Sequence, residues 1–145
     1  GAVSQDGTRV LDEHTIQSLG VSQQYIEDNV AEQMEEIGRR TRYYRGSDVY
    51  DLEGKTAIVV DDGLATGHTA IAAVKYVRKL GPSKVVFAVP VGSPTAAARV
   101  KSHVDEFICP ETPWYFQAVS QFYRRFEQVS DDEAMMLLEG RKEKR

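Results

Sequence analysis

The chain has 145 residues, of which 41% are hydrophobic and 28% charged, with a formal charge of -4. That length and apolar content suit one domain spanning 1–145, and the acidic balance gives no global attraction to nucleic acid or an anionic membrane. A single cysteine, Cys109, rules out an intramolecular disulfide and fits a reducing cytoplasm, and no apolar run reaches membrane length.

Ala2-Val3 and Thr8-Arg9-Val10-Leu11 flank a Gln5-Asp6-Gly7 turn, which predicts a hairpin. Asp12 reads as the N-cap of a short helix with Ile16 and Leu19 inward and Gly20 closing it. Ser22 caps the next helix. There Ile26, Val30, Met34 and Ile37 recur at helical spacing and make one apolar face running to about Arg40. Its other face is acidic early and basic late, the order that the helix dipole favours. Arg39 to Gly46 then carries arginines and two tyrosines, and on residue types alone it is a solvated helix end.

Ser47 to Gly54 is a connector. Ala57-Ile58-Val59-Val60 is a short β-rich run, as in a strand buried on both faces. A helix from about Gly67 to Leu80 follows, with Ala70, Ile71, Val74 and Val77 facing the sheet and Gly81-Pro82 stopping it. Val85 to Val89 is the next strand. A βαβ spacing of this kind makes the two strands parallel. Pro90 to Pro94 forms a turn at that strand's carboxyl end, the edge where ligands sit in open parallel sheets. Thr95 to His103 predicts a short helix, and Val104 to Cys109 a third strand. Pro110 to Pro113 is a second carboxyl-end loop. Trp114-Tyr115-Phe116, Phe122-Tyr123 and Phe126 are dense enough either to cap the sheet or to stack a nucleobase. Ser130-Asp131-Asp132-Glu133 is a capping box that opens a last helix, and Arg141 to Arg145 a charged, frayed tail.

The chemistry concentrates between Thr56 and Thr69. Two adjacent carboxylates, Asp61 and Asp62, end the first apolar strand. A loop of small residues, Gly63-Leu64-Ala65-Thr66-Gly67, closes on His68 and Thr69, where a helix begins. Free N–H groups at a helix N-terminus favour a phosphate, and the Thr66 and Thr69 hydroxyls are further donors. The carboxylates can accept from sugar hydroxyls or reach a divalent cation. Together these describe a seat for a sugar phosphate. A P-loop is excluded, because Gly63 and Gly67 enclose three residues and His68 stands where its lysine belongs. The dinucleotide pattern Gly-x-Gly-x-x-Gly is absent.

Val59-Val60-Asp61-Asp62-Gly63-Leu64-Ala65-Thr66-Gly67-His68-Thr69 resembles the PRPP-binding signature of type I phosphoribosyltransferases. Weaker matches at Gly1-Ala2-Val3, Val10-Leu11-Asp12-Glu13, Leu19-Gly20-Val21-Ser22 and Ser130-Asp131-Asp132-Glu133 resemble a less characterised bacterial and archaeal group of that family. The resemblance implies an α/β fold, a parallel-sheet, Rossmann-like core with flanking helices. It implies transfer of the 5-phosphoribosyl group from PRPP to a nitrogen acceptor, with pyrophosphate released and Mg²⁺ carried on PRPP rather than held directly by the chain. Residue by residue, it assigns Asp61 and Asp62 to the ribose hydroxyls and Ala65, Thr66, Gly67, His68 and Thr69 to the 5-phosphate. Trp114, Tyr115 and Phe116 fall on the base side. No catalytic residue is assigned. Members acting on 6-oxopurines commonly carry an aspartate where this chain has Ala65, so hypoxanthine and guanine are disfavoured as acceptors. The resemblance also offers a second reading of Arg39 to Gly46, as a mobile loop that folds over bound substrate.

The family binds pyrophosphate on a second strand–loop–helix, upstream of the central motif, and none precedes Gly1-Ala2-Val3. The expectation is therefore a core lacking its N-terminal strand or strands: the carboxyl part of a larger domain, or a chain that pairs with another copy as a homo-oligomer. An exposed sheet edge would result. The expected partners are PRPP and a small-molecule acceptor, with no nucleic acid and no membrane. Two alternatives stand beside the transferase: a non-catalytic PRPP- or nucleotide-binding regulatory module, and an unrelated phosphate-ester hydrolase using the acidic pair with a metal.

Overall fold

The computed structural model describes residues 1–47 and 49–140, and the expected frayed tail at 141–145 lies outside them. The chain opens with the expected hairpin. Strand β1 (Ala2–Val3) pairs antiparallel with β2 (Arg9–Val10) across a turn at Gly7, whose φ of 81° favours a residue without Cβ. Asp12 accepts from the Thr15 N–H and starts α1 (Glu13–Leu19), which Gly20 ends in the left-handed conformation. Leu19, expected to point inward, is 73% exposed, because nothing packs over the last turn of so short a helix. Ser22 caps α2 (Gln23–Arg45) by accepting from the Tyr25 N–H.

Helix α2 runs five residues past the expected end at Arg40. Tyr43 and Tyr44 are helical, and their hydroxyls donate to Asp132 Oδ1 (2.5 Å) and Asp131 Oδ1 (2.6 Å), while Arg39 pairs with Asp131 Oδ2 at 2.8 Å. Asp131 opens α5 (Asp131–Glu139), whose N-cap Ser130 accepts from the Glu133 N–H. Acidic residues at that helix start thus meet the basic, tyrosine-bearing end of α2, and each set of charges suits the dipole of its own helix. In this structure Arg39 to Arg45 is the end of a helix; the loop reading does not describe it.

The parallel sheet has the order β3 (Thr56–Val60), β4 (Lys84–Ala88), β5 (Glu106–Ile108), with Ala57 opposite Val85 and Phe87 opposite Phe107. Between the strands run α3 (His68–Lys79) and α4 (Pro94–Lys101). The core lies on one side of the sheet. Val85, Phe87 and Val89 pack there with Ala70, Ile71 and Val74 of α3 and Ala96, Ala97 and Val100 of α4. Each buried Val, Ile or Phe side chain of this set contributes on the order of 1.5–3 kcal/mol.

The expectation that the first apolar run is buried on both faces is not met. Ala57 is buried, but Ile58 is 65% and Val60 70% exposed. With Val86, Ala88 and Ile108 these residues form the face of the sheet opposite α3 and α4, where the central strand's Val86 is buried and Ile108 on the far strand is exposed. Among the described residues β3 pairs only with β4, so it is also an edge. An apolar run reports that both faces are oily; it cannot report which element covers them.

Candidate functional site

The loops after β3, β4 and β5 continue the strand pairing beyond the sheet's carboxyl edge. The Leu64 N–H donates to Val91 O (3.0 Å), the Ser93 N–H returns to Leu64 O (2.8 Å), and the Gly92 N–H donates to Glu111 O (3.0 Å). Leu64 is buried, and Gly92 comes so close that its added Cβ would lie 3.0 Å from Leu64 Cβ. The loop 61–67 is thereby anchored through Leu64 to the 91–93 segment, while Asp61, Asp62, Ala65 and Thr66 stay exposed.

Gly67, with φ of 84°, forms the N-cap of α3. A side chain is disfavoured at that φ, and its Cβ would also meet Val100 Cγ2 at 3.3 Å. The start of α3, whose first N–H groups have no intrahelical partner, borders a cavity of about 210 Å³, lined by Asp61, Asp62, Gly63, Leu64, Ala65, Thr66, Gly67, Thr69, Ala70 and Val119. The expected carboxylate pair and most of the expected phosphate loop therefore share one cavity. His68 is not among the lining residues. Its ring contacts Thr66 Oγ1 (3.1 Å, through Nδ1) and Arg99 (3.3 Å, through Nε2).

Asp61 Oδ1 accepts the Asp62 N–H at 2.9 Å. By area Asp61 stays open to solvent, yet the protein atoms crowding its carboxyl strip away hydration and raise its pKa above the ordinary carboxylate value. The Asp62 N–H opposes that shift and the Asp62 charge adds to it. Burial lowers the pKa of His68, helped by Arg99 and opposed by Asp12.

Trp114, Tyr115 and Phe116 do not line this cavity. Trp114 is 88% exposed and edge-on to Tyr115, and Phe116 stacks on Phe122 at 5.4 Å. The following segment supplies the cavity wall instead. Val119, in a 3-10 turn (Val119–Phe122), packs against Gly63, and the Tyr123 hydroxyl donates to Asp62 O at 2.6 Å. Neither contact was predictable from Val119 or Tyr123, which lie more than fifty residues along the chain. Ser93 and Arg99 also reach the loop, donating to Ala65 O (2.8 Å) and Thr66 O (3.4 Å). The sequence placed Ser93 in the carboxyl-end turn Pro90 to Pro94, at the edge where ligands sit, and Arg99 only in the short helix that follows.

A second cleft, about 330 Å³, lies between the hairpin and helices α1 and α2, lined by Val3, Leu11, Ile16, Val21 and Ile26 among others. It is mostly aliphatic, and among the described residues of its lining Asp12 alone has a charged side chain.

The family model described as "Phosphoribosyl transferase domain" matches residues 8–123. The chain belongs to that family. A Mycobacterium tuberculosis H37Rv protein, provisionally named a phosphoribosyl transferase, is 41% identical over 140 residues, which is 96% of this chain and 32% of that protein. A protein named uracil phosphoribosyltransferase from Rhodococcus jostii is 33% identical over 72 residues, 49% of this chain and 32% of that one. The crystal structure of TT1426 from Thermus thermophilus matches with a TM-score of 0.71 and 35% identity, over 95% of this chain and 65% of that one. The chain thus spans about a third of the length of the mycobacterial relative. The α/β fold expected for a phosphoribosyl transferase domain is the fold observed. Among the described residues, no helix is long and apolar enough to cross a membrane.

Proposed function

We propose that the cavity at the start of α3 binds the ribose 5-phosphate part of PRPP, and that the chain takes part in phosphoribosyl transfer to a nitrogen acceptor. The observation that carries this reading is the shared cavity: Asp61 and Asp62 line it together with Ala65, Thr66, Gly67 and Thr69 at the start of α3. The N–H groups and the Thr66 and Thr69 hydroxyls take the phosphate. Asp61 and Asp62 accept from the ribose hydroxyls and hold the sugar so that C1 faces outward. The C1–O bond to pyrophosphate then breaks, its electron pair leaving with pyrophosphate. The acceptor nitrogen forms the new bond to C1 and loses a proton. Positive charge gathers on the ribosyl ring in between, and nearby carboxylates stabilise it.

The donor set beside the seat suits Mg²⁺ carried on the substrate. Two carboxylates fit an octahedral ion that keeps waters and substrate phosphates as its other ligands, so Asp61 and Asp62 would reach it mainly through water. That ion supplies charge neutralisation on the departing pyrophosphate.

We infer further that 1–145 acts as one unit, the carboxyl part of a larger domain. The uncovered sheet face at Ile58, Val60 and Ile108, the open edge of β3 and the partial coverage of TT1426 support this. The same open face supports a second reading, in which this part alone binds PRPP without turnover.

Isothermal titration with PRPP, with and without Mg²⁺, tests the seat. Binding that is lost when Asp61→Asn is combined with Asp62→Asn supports it, and binding indifferent to that pair sinks it. Pyrophosphate release across a panel of bases then separates a transferase from a binding module.

A further inference from the structure

Three side chains at the phosphate loop have a fixed donor–acceptor order. Arg99 Nη1 lies 3.3 Å from His68 Nε2, and His68 Nδ1 lies 3.1 Å from Thr66 Oγ1. A guanidinium carries donors and no acceptor. Its contact with Nε2 therefore requires a lone pair there, which in neutral imidazole places the proton on Nδ1. The Nδ1–H then donates to Thr66 Oγ1. A hydroxyl whose oxygen is engaged from one side directs its own hydrogen elsewhere. Among the described residues Thr66 Oγ1 has no further protein partner, and Thr66 lines the cavity.

We propose that Arg99 is a positioning residue for the phosphate seat: by donating to His68 Nε2 it holds the imidazole as the Nδ1–H tautomer, which turns the Thr66 hydroxyl hydrogen towards a bound phosphate. The inference rests on reading Ala65 to Thr69 as a phosphate seat. It assigns a role to Arg99, on α4, thirty-three positions from Thr66, and an indirect one to His68. The backbone supports the same arrangement, since Arg99 Nη1 also reaches Thr66 O at 3.4 Å. The charged groups around His68 favour the neutral ring on balance. Burial foremost, and then Arg99, disfavour imidazolium, and Asp12, from the start of α1, favours it. A neutral ring is what a relay passing through a lone pair needs.

An alternative role for Arg99 is plain electrostatic attraction of the anion, and two measurements separate the two. The first needs no ligand. Long-range ¹⁵N–¹H correlation spectra of the 145-residue chain near neutral pH report the His68 tautomer, with His68→Asn giving the assignment. The expected result is a protonated Nδ1 and a bare Nε2 in the parent. Arg99→Met should shift the ring towards a tautomer mixture, and Arg99→Lys should partly restore the parent pattern. A parent ring protonated on Nε2, or a tautomer unaltered by Arg99→Met, overturns the proposal.

The second measurement is titration with ribose 5-phosphate. Arg99→Met is expected to weaken binding roughly threefold to tenfold, the size of one hydrogen bond's net contribution. In a Thr66→Val background the same substitution should cost clearly less, because the hydroxyl it orients is gone and only the long contact to Thr66 O remains to be lost. Equal losses in both backgrounds, shrinking with added salt, mean that Arg99 acts only as a charge, and the proposal fails. If the parent does not bind ribose 5-phosphate, the seat reading and the role given to Thr66 fall together, while the spectra still decide whether Arg99 sets the His68 tautomer.

Discussion

Ser93 joins the phosphate loop to the helix that packs behind it. Its hydroxyl donates to Ala65 O at 2.8 Å, and its oxygen accepts the Ala96 N–H at 3.1 Å as the N-cap of α4. One side chain thus fixes the start of α4 and the carbonyl direction at the centre of the loop. Ser93→Ala removes both contacts. Loss of the cap should cost about 1 kcal/mol of stability, seen as a lower denaturation midpoint. Affinity for ribose 5-phosphate should also drop several-fold. Ser93→Asp restores a capping acceptor but cannot donate to the Ala65 carbonyl, so it should recover stability without recovering affinity.

Gly63 is buried, and its position is explained by its neighbour. A Cβ placed there would lie 2.5 Å from Val119 Cγ1 and 2.6 Å from Cγ2. The contact is with a stiff, β-branched side chain whose own Cβ is 3.1 Å away, so a rotamer change cannot relieve it. Gly63→Ala is expected to destabilise the chain by about 1–3 kcal/mol and to push the 3-10 turn off the cavity mouth. Val119→Ala introduced beside it should return most of that loss. A double-mutant cycle on thermal or urea unfolding measures the coupling, and additivity of the two changes would show that this packing does not constrain Gly63.

Local signals carried much of the fold. Asp12, Ser22 and Ser130 cap the helices they were expected to cap, because each cap is a contact between residues three apart. The apolar strand, acidic pair, small-residue turn and helix start likewise form one contiguous device, and it becomes one cavity. What was not legible depends on distant pairing. The extension of α2 past Arg40 accompanies contacts between Arg39, Tyr43 and Tyr44 and aspartates some ninety residues away. Val119 and Tyr123 reach the cavity through a turn that has no periodicity to betray it. Ile58 and Val60 read as core residues, since hydrophobicity reveals what a strand prefers to touch and not whether it is touched.

Asp105 provides a pH-dependent clamp at the other end of the sheet. Its carboxylate takes an ion pair from Arg78 (2.8 Å) and the Val85 N–H (2.7 Å), and these two contacts, Arg78 foremost, lower its pKa. A folded pKa below the unfolded one means that the clamp stabilises above the unfolded carboxylate value and is lost as pH falls through the folded value. Asp105→Asn should therefore lower the unfolding midpoint at pH 7. The gap to the parent should close as the buffer is taken into the acid range below the ordinary aspartate pKa. A gap that is constant with pH would mean that only packing is lost.

Asp61 should behave with the opposite sign. Its pKa is raised, first by the loss of hydration around the carboxyl, so the folded chain holds that proton more tightly than the unfolded chain does. Stability contributed by this group then falls as pH rises from the unfolded carboxylate value through the folded one, and the deficit persists at neutral pH. Asp61→Asn removes the charge. Because the carboxyl remains open to solvent by area, screening keeps the gain small, a rise of about 1–3 °C in Tm at pH 7 that vanishes near pH 3. The same substitution takes away an acceptor for a ribose hydroxyl and should weaken PRPP binding at least tenfold, the order of a lost charged hydrogen bond. A more stable chain that binds less would mark Asp61 as a residue kept for its ligand at a cost to the fold. A less stable Asp61→Asn chain at pH 7 would show instead that the Asp62 N–H contact outweighs the hydration that Asp61 gives up.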